Sequence, residues 1–243
     1  MDWFSIRITR RYVVMLNFAC VFYGDKYTFS YVINLYNMVE RNLTSPYRFI
    51  CFTDNTVIHK QKQFKGKDIE FRQFKRHDFN GWFNKLQLFS PDSNLEGNTL
   101  YMDLDVVIMK NINELATIGE SKNFVGMNDF NPTSGVFNSS IMKFDQSKMH
   151  DKLWRRFNND RTNLLRRFPG DQNLISEFIK GTPGCESLPD SWTQSYKWYD
   201  RSGTRYSRSA MTYEHNGESL ITVFHGQPNP HQSEQEWVKS AWK

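Results

Sequence analysis

The run Val13-Val-Met-Leu-Asn-Phe-Ala-Cys-Val-Phe22 is apolar at every position except Asn17. A strand with no polar face has no side to offer to water, so it belongs inside a sheet that is covered on both faces. It reads as a central strand. Gly24-Asp25 then turns the chain, and Val32, Leu35, Tyr36, Val39 and Leu43 follow at helical spacing. That spacing predicts a helix over roughly residues 26–42. Tyr47–Thr53 reads as a second strand closing on Asp54, and Ile69–Phe74 alternates as a third. The Lys-rich stretch His59–Asp68 reads as a loop or frayed helix, Trp82–Phe89 as a short helix and Pro91–Asn98 as a turn. This succession predicts a mostly parallel sheet flanked by helices, with any ligand beyond the carboxyl ends of its strands.

A rival reading of the first run is a signal peptide, because Arg7-Ile-Thr-Arg-Arg11 precedes an apolar stretch from Tyr12 to Gly24. The stretch is too short to span a bilayer, and no small-residue cleavage site follows it. Cys20, Cys51 and Cys185 are too few and too scattered for a disulfide framework or a metal knuckle, so a reducing cytoplasm is the simplest setting. In the second half, Phe124–Met127, Phe137–Phe144 and Leu220–Phe224 read as strands. Lys152–Phe157, Gln172–Lys180 and Ser233–Trp242 read as helices. No linker divides the 243 residues, which predicts one domain.

Leu100-Tyr-Met-Asp-Leu-Asp-Val-Val-Ile-Met109 carries two aspartates in an otherwise apolar strand. Alternation places Asp103 and Asp105 on one face, about 7 Å apart. Two part-buried carboxylates at that spacing repel. Water, a basic partner or a divalent cation with hard oxygen ligands would relieve them.

With these residues the sequence resembles the GT-A glycosyltransferases, in particular the glycogenin-like retaining group. The resemblance covers roughly residues 15–242 and rests on five segments in the family's order. YMDLDVVI is similar to the metal-binding D-x-D strand. Gly81–Phe89 resembles the segment that brings a basic residue to the donor, and Phe137–Met142 the N-[ST]-G-V-M strand. Gly170–Ile175 resembles G-D-Q-D-x-[IL], and Phe224–His231 the C-terminal His-Gly loop. Ser140 stands where the family has glycine. Gln227 or Asn229 stands where a diphosphate-binding lysine is usual.

The resemblance implies a GT-A, Rossmann-like fold over residues 15–243, with 1–14 as an extension outside it. It implies transfer of a sugar from a nucleoside-diphosphate sugar, UDP foremost, with retention and with Mn²⁺ or Mg²⁺. Asp103, Asp105 and His225 are then the metal ligands. Phe22, Tyr23, Tyr27, Asp54, Asp103 and Leu104 meet the nucleotide. His225, Gly226 and Asn229 meet the diphosphate, and Asn138, Ser139, Lys85, Asp171 and Gln172 the donor sugar. Lys85, expected at the cleft edge, also serves catalysis with Asp171 and Gln172. From the residues alone, Asp171 is equally a helix N-cap.

Two other functions compete. A sugar-phosphate nucleotidyltransferase would want a Gly-rich basic loop after the first strand, and Phe22-Tyr-Gly-Asp-Lys26 has one glycine. A binding module for anionic polymers, nucleic acid included, would use two basic clusters. One is Lys148–Arg167; the other is Arg201, Arg205 and Arg208 among Trp198, Tyr199 and Tyr206. The same clusters suit an anionic acceptor. The net charge of +5 is too small to argue for nucleic acid by itself.

Overall fold

The computed structural model describes residues 15–131, 133–197 and 213–243. The proposed extension 1–14 and the Arg201–Arg208 cluster lie outside these residues.

The apolar run is the central strand β1 (Leu16–Phe22). Strand β2 (Tyr47–Thr53) pairs parallel with it, Leu16 opposite Tyr47 and Phe22 opposite Thr53. Strand β3 (Ile69–Gln73) adds parallel outside β2, and β4 (Asn98–Met102) lies parallel on the other side of β1. The run's one polar residue is satisfied in place. The Asn17 amide donates to Glu96 O at 2.9 Å and Thr99 Oγ1 at 3.2 Å, and its oxygen accepts from Arg48. Alternate β1 residues enter two cores. Phe18, Cys20 and Phe22 pack with the helix Phe29–Asn42, and Ala19 packs with Leu86, Phe89, Leu153 and Leu174 on the opposite face. That helix begins later than the spacing predicts, because Gly24, at φ +66°, and its neighbours are spent on the turn out of β1.

The D-x-D segment departs from expectation. It is not one strand. β4 ends at Met102, opposite Ile141, and Asp103 N makes a last bond to Ser140 O at 2.9 Å. The chain then leaves the large sheet, and β5 (Val106–Ile108) resumes in a second one. Asp103-Leu104-Asp105 is thus a turn between two sheets, so strand alternation does not set where its side chains point. The large sheet is completed by β6 (Phe124–Asn128), β7 (Phe137–Asp145) and β8 (Cys185–Ser187), in the order β3-β2-β1-β4-β7-β6-β8. Four of its pairings are parallel; β7 runs antiparallel to both neighbours. The small sheet is β5 with β9 (Thr193–Ser195) and β10 (Ile221–Val223), in the order β5-β10-β9.

Other predicted elements survive with local changes. Gly81–Phe89 is a 3₁₀ helix, Asp171–Ile179 an α-helix, and the last helix shrinks to Glu236–Ala241. Among the described residues no helix is long and apolar enough to cross a membrane.

Candidate active site

At the carboxyl ends of β1 and β4 the two sheets enclose a cavity of about 470 Å³. Its lining comes from distant parts of the chain: Tyr23 and Tyr27 after β1, Lys85, the D-x-D turn, Asn138 and Ser139, Asp171 and Gln172, and His225. The β6–β7 pairing helps to expose one wall. Gly126 faces Met142 but Met127 faces Asn138, so the register jumps there and Asn138-Ser139-Ser140 border the cavity.

Lys85 is not at the edge as expected but only 8% exposed. Its ammonium lies 2.9 Å from Asp103 Oδ1 and 3.4 Å from Asp171 Oδ2, and donates to Ser139 Oγ at 3.0 Å. Burial opposes its charge, but the Asp103 and Asp171 carboxylates outweigh burial and hold its pKa above the usual lysine value. Tyr101, fully buried, donates to Asp103 Oδ1 at 2.6 Å. Asp171 is not the N-cap of its helix. Gly170 is the cap, and Asp171 is the first helical residue, where the helix dipole favours a negative charge. Its Oδ2 is buried within ion-pair distance of Lys85 but receives no directed hydrogen bond.

Asp105 is held differently. Tyr27 donates to its Oδ2 at 2.7 Å, and Lys26 stands 4.0 Å away, mostly in solvent. Burial, then the Asp103 charge, push its carboxyl up to about 6, against the Tyr27 bond and the two lysines. The repulsion expected between the aspartates is therefore present, and tyrosine and lysine partners offset part of it. Tyr27→Phe should remove the strongest of these supports. A hydrogen bond to a charged group contributes roughly 1.5–3 kcal/mol. The variant should melt lower than wild type above pH 7 and lose most of that deficit by pH 5, where Asp105 is protonated; equal deficits at both pH values would contradict this.

His225 follows β10, whose extension bonds Phe224 N to Asp105 O at 3.0 Å, so the imidazole is carried to the D-x-D turn. Its ring stacks on Phe130 with centroids 5.4 Å apart, and Nε2 shares a 2.6 Å hydrogen bond with Ser195 Oγ. Gly226, at φ +79°, turns the chain away, and neither it nor Asn229 lines the cavity. Asn229 is buried, and its N–H donates to Gln232 at 2.7 Å. A cation does stand at this loop. Lys197 donates to Gln227 O at 2.6 Å, and its Nζ would lie 3.4 Å from a Cβ on Gly226.

The other nucleotide candidates divide. Tyr23, Tyr27 and Leu104 line the cavity with the aspartates. Phe22 does not; it is buried and its ring packs on Phe29. Asp54 accepts from Gly24 N at 3.2 Å and holds the turn after β1 rather than lining the cavity. Residues that the motifs did not mark also matter. Tyr101 holds Asp103, Ser195 holds His225, and Lys26 neighbours Asp105. Tyr101 lies two residues before Asp103, a spacing that could have been read.

The basic segment is largely engaged in local pairing. Arg155 pairs with Asp151, Arg161 with Asp78 and Arg167 with Glu177, while Arg156 donates to Phe178 O. A second cavity, of about 370 Å³, opens at the β6–β7 connection beside Asp129, Lys180 and Asp190, and contains none of the motif carboxylates.

No protein-family model matches this sequence, and no curated protein matches it significantly. Solved structures do match in shape. The glycosyltransferase GlyE of Streptococcus pneumoniae TIGR4 superposes on 92% of this chain with a TM-score of 0.66 at 17% identity, and the chain spans 59% of it. The galactosyltransferase LgtC, solved with donor and acceptor sugar analogues, covers 93% of this chain with a TM-score of 0.66 at 14% identity, over 96% of its own length. Mouse xyloside xylosyltransferase 1 covers 88% of this chain with a TM-score of 0.57 at 13% identity. This chain has the GT-A glycosyltransferase fold. In that GT-A frame the D-x-D turn is the crossing point between the large and the small sheet.

Proposed function

We propose that the protein is a metal-dependent glycosyltransferase that moves a sugar from a nucleoside-diphosphate sugar, UDP foremost, to a hydroxyl acceptor with retention. One observation carries this reading. Two aspartates, a histidine, a buried lysine and a further aspartate, from segments far apart in sequence, line one cavity at the carboxyl ends of the strands.

Among the described residues no three His, Cys, Asp or Glu side chains stand gathered in metal-holding geometry. The donor set nevertheless suits a divalent ion. Asp103, Asp105 and His225 line the same cavity, and mixed carboxylate and imidazole donors suit Mn²⁺ or Mg²⁺. Asp105 in particular carries an ill-compensated charge that a cation would stabilise. These three residues would hold the ion, which when bound supplies a Lewis acid for diphosphate oxygens.

The chain's own residues supply the rest. Lys85 bridges the Asp103 carboxylate on the metal side and Asp171 on the sugar side. Asp171 Oδ2 is turned inward to Lys85, and Asp171, which lines the cavity, would offer its carboxylate to a donor-sugar hydroxyl. Asn138, Ser139 and Gln172 supply further polar groups to the sugar. Lys197, beside Gly226, would supply to the diphosphate the cation that the His-Gly loop itself lacks.

In the reaction the anomeric C–O bond to phosphate breaks, and the nucleoside diphosphate leaves with the electron pair. The acceptor oxygen bonds the same carbon from the same face, and its proton passes to a leaving-phosphate oxygen. Asp171 and Gln172 stabilise the positive charge at the anomeric centre. The free thiols Cys20, Cys51 and Cys185 suit a reducing, cytoplasmic setting.

Incubation with a panel of UDP-, GDP- and ADP-sugars tests the reading. Slow release of UDP from at least one UDP-sugar is expected with Mn²⁺ and not with chelator. No donor consumed under any metal condition would contradict it.

A further inference from the structure

We propose that Trp82 is the platform on which a hexopyranose ring of the acceptor stacks at the mouth of the cavity. The proposal rests on the glycosyltransfer reading and adds the acceptor's chemical class to it.

Trp82 is 58% exposed. Among the described residues only Met15 and Val57 are comparably exposed large apolar side chains, and neither lines the cavity. An indole left in water at a cavity mouth forfeits the stabilisation that burial gives it, which points to a partner with an apolar face.

The local backbone sets this position. Gly81, at φ +52°, gives the chain a left-handed step that a side chain would strain. The 3₁₀ helix Gly81–Phe89 then begins, and residues three apart in such a helix lie along one edge. Trp82 and Lys85 share that edge, and both line the cavity. Gly170 completes the arrangement. A Cβ there would meet Trp82 Nε1 at 3.3 Å, closer than ordinary contact, so glycine lets the indole lie against the start of the helix Asp171–Ile179. Asn173 Oδ1 would be 3.8 Å from the same point, and Asn173 also lines the cavity. An aromatic ring and an amide therefore meet at one end of the cavity, at the start of the helix that Asp171 opens.

A pyranose suits this set. Its C–H face is apolar and stacks on an aromatic ring, while its hydroxyls bond to amide groups such as that of Asn173. A nucleobase is the competing occupant. Trp82 sits against Gly170, next to the carboxylate assigned to the donor sugar, whereas the aromatics assigned to the base, Tyr23 and Tyr27, follow β1.

The test uses full-length protein labelled with 5-fluorotryptophan, the Trp82 resonance being assigned with Trp82→Phe. UDP and Mn²⁺ are added to saturation, and a panel of methyl hexopyranosides is then titrated by ¹⁹F NMR. At least one glycoside should move the Trp82 resonance saturably. Trp82→Ala should weaken that glycoside roughly tenfold, and Trp82→Phe or Trp82→Tyr should hold it within about threefold, with UDP affinity changed less than about twofold. The proposal is overturned if the resonance responds to UDP alone, if no glycoside binds, or if Trp82→Ala binds the glycoside as wild type does. Should UDP itself fail to bind wild type, the glycosyltransfer reading fails and the platform falls with it.

Discussion

Lys85→Ala is expected to destabilise the protein by about 3 kcal/mol and to reduce transfer at least about a hundredfold. The stability loss follows from the geometry of the ion pairs. The Lys85 side chain is 10% exposed, Asp103 19% and Asp171 7%, so removing the cation leaves two carboxylates little hydrated and uncompensated. Breaking one partner of a buried pair costs far more than the pair contributes net, because the remaining charge keeps its desolvation penalty. Adding Asp171→Asn to Lys85→Ala should recover part of the stability and none of the activity. Urea unfolding of the two variants measures this. Wild-type stability in Lys85→Ala would mean that water already solvates these carboxylates.

Asp105→Asn is expected to act in the opposite direction on stability and more severely on function. Asp105 titrates at about 6 in the folded chain, well above a free aspartate. The folded state therefore favours the protonated form. The stability this contributes is complete below about pH 4 and is lost as pH rises through about 6, so at pH 7 the ionised Asp105 is a net cost of up to about 3 kcal/mol. Asparagine removes the charge and keeps an oxygen to accept from Tyr27. The variant should therefore be about 1–3 kcal/mol more stable than wild type at pH 8 and close to it at pH 4. Transfer should fall by three orders of magnitude or so if this carboxylate holds the ion that screens the leaving diphosphate. A variant less stable at pH 8 would show that the folded site favours the ionised form.

The fold was legible where periodicity was strong. The apolar run around Phe18 and Cys20, the helical spacing of Val32, Leu35 and Val39, and the strand Tyr47–Thr53 all follow from side-chain burial alone. The break at Asp103-Leu104-Asp105 was not legible. Val106–Ile108 is as apolar as Leu100–Met102, and nothing local says that the two belong to different sheets. Lys85 was misplaced for a similar reason: a lysine in a short helix usually reaches water, and only Asp103 and Asp171, 18 and 86 positions further along the chain, make burial tolerable. Motifs marked Asp103, Asp105, Asn138, Asp171 and His225, all of which line one cavity. Asn229, in the last motif, and Phe22 and Asp54, at strand ends, are used elsewhere by the packing, because a place in the sequence names a position and not a direction. Tyr101 and Ser195 act on Asp103 and His225 through hydrogen bonds that no motif encodes.

The central claim is that Asp103, Asp105 and His225 hold a divalent ion for a nucleoside diphosphate. Calorimetric titration of UDP into wild type and Asp105→Asn, each with Mn²⁺ and with chelator, tests it most directly. Wild type should bind UDP at least about tenfold more tightly with Mn²⁺, a difference of about 1.4 kcal/mol. That difference should vanish in Asp105→Asn while the variant remains folded. Equal UDP affinity with and without Mn²⁺ in wild type, or a Mn²⁺ effect undiminished in Asp105→Asn, would contradict the claim.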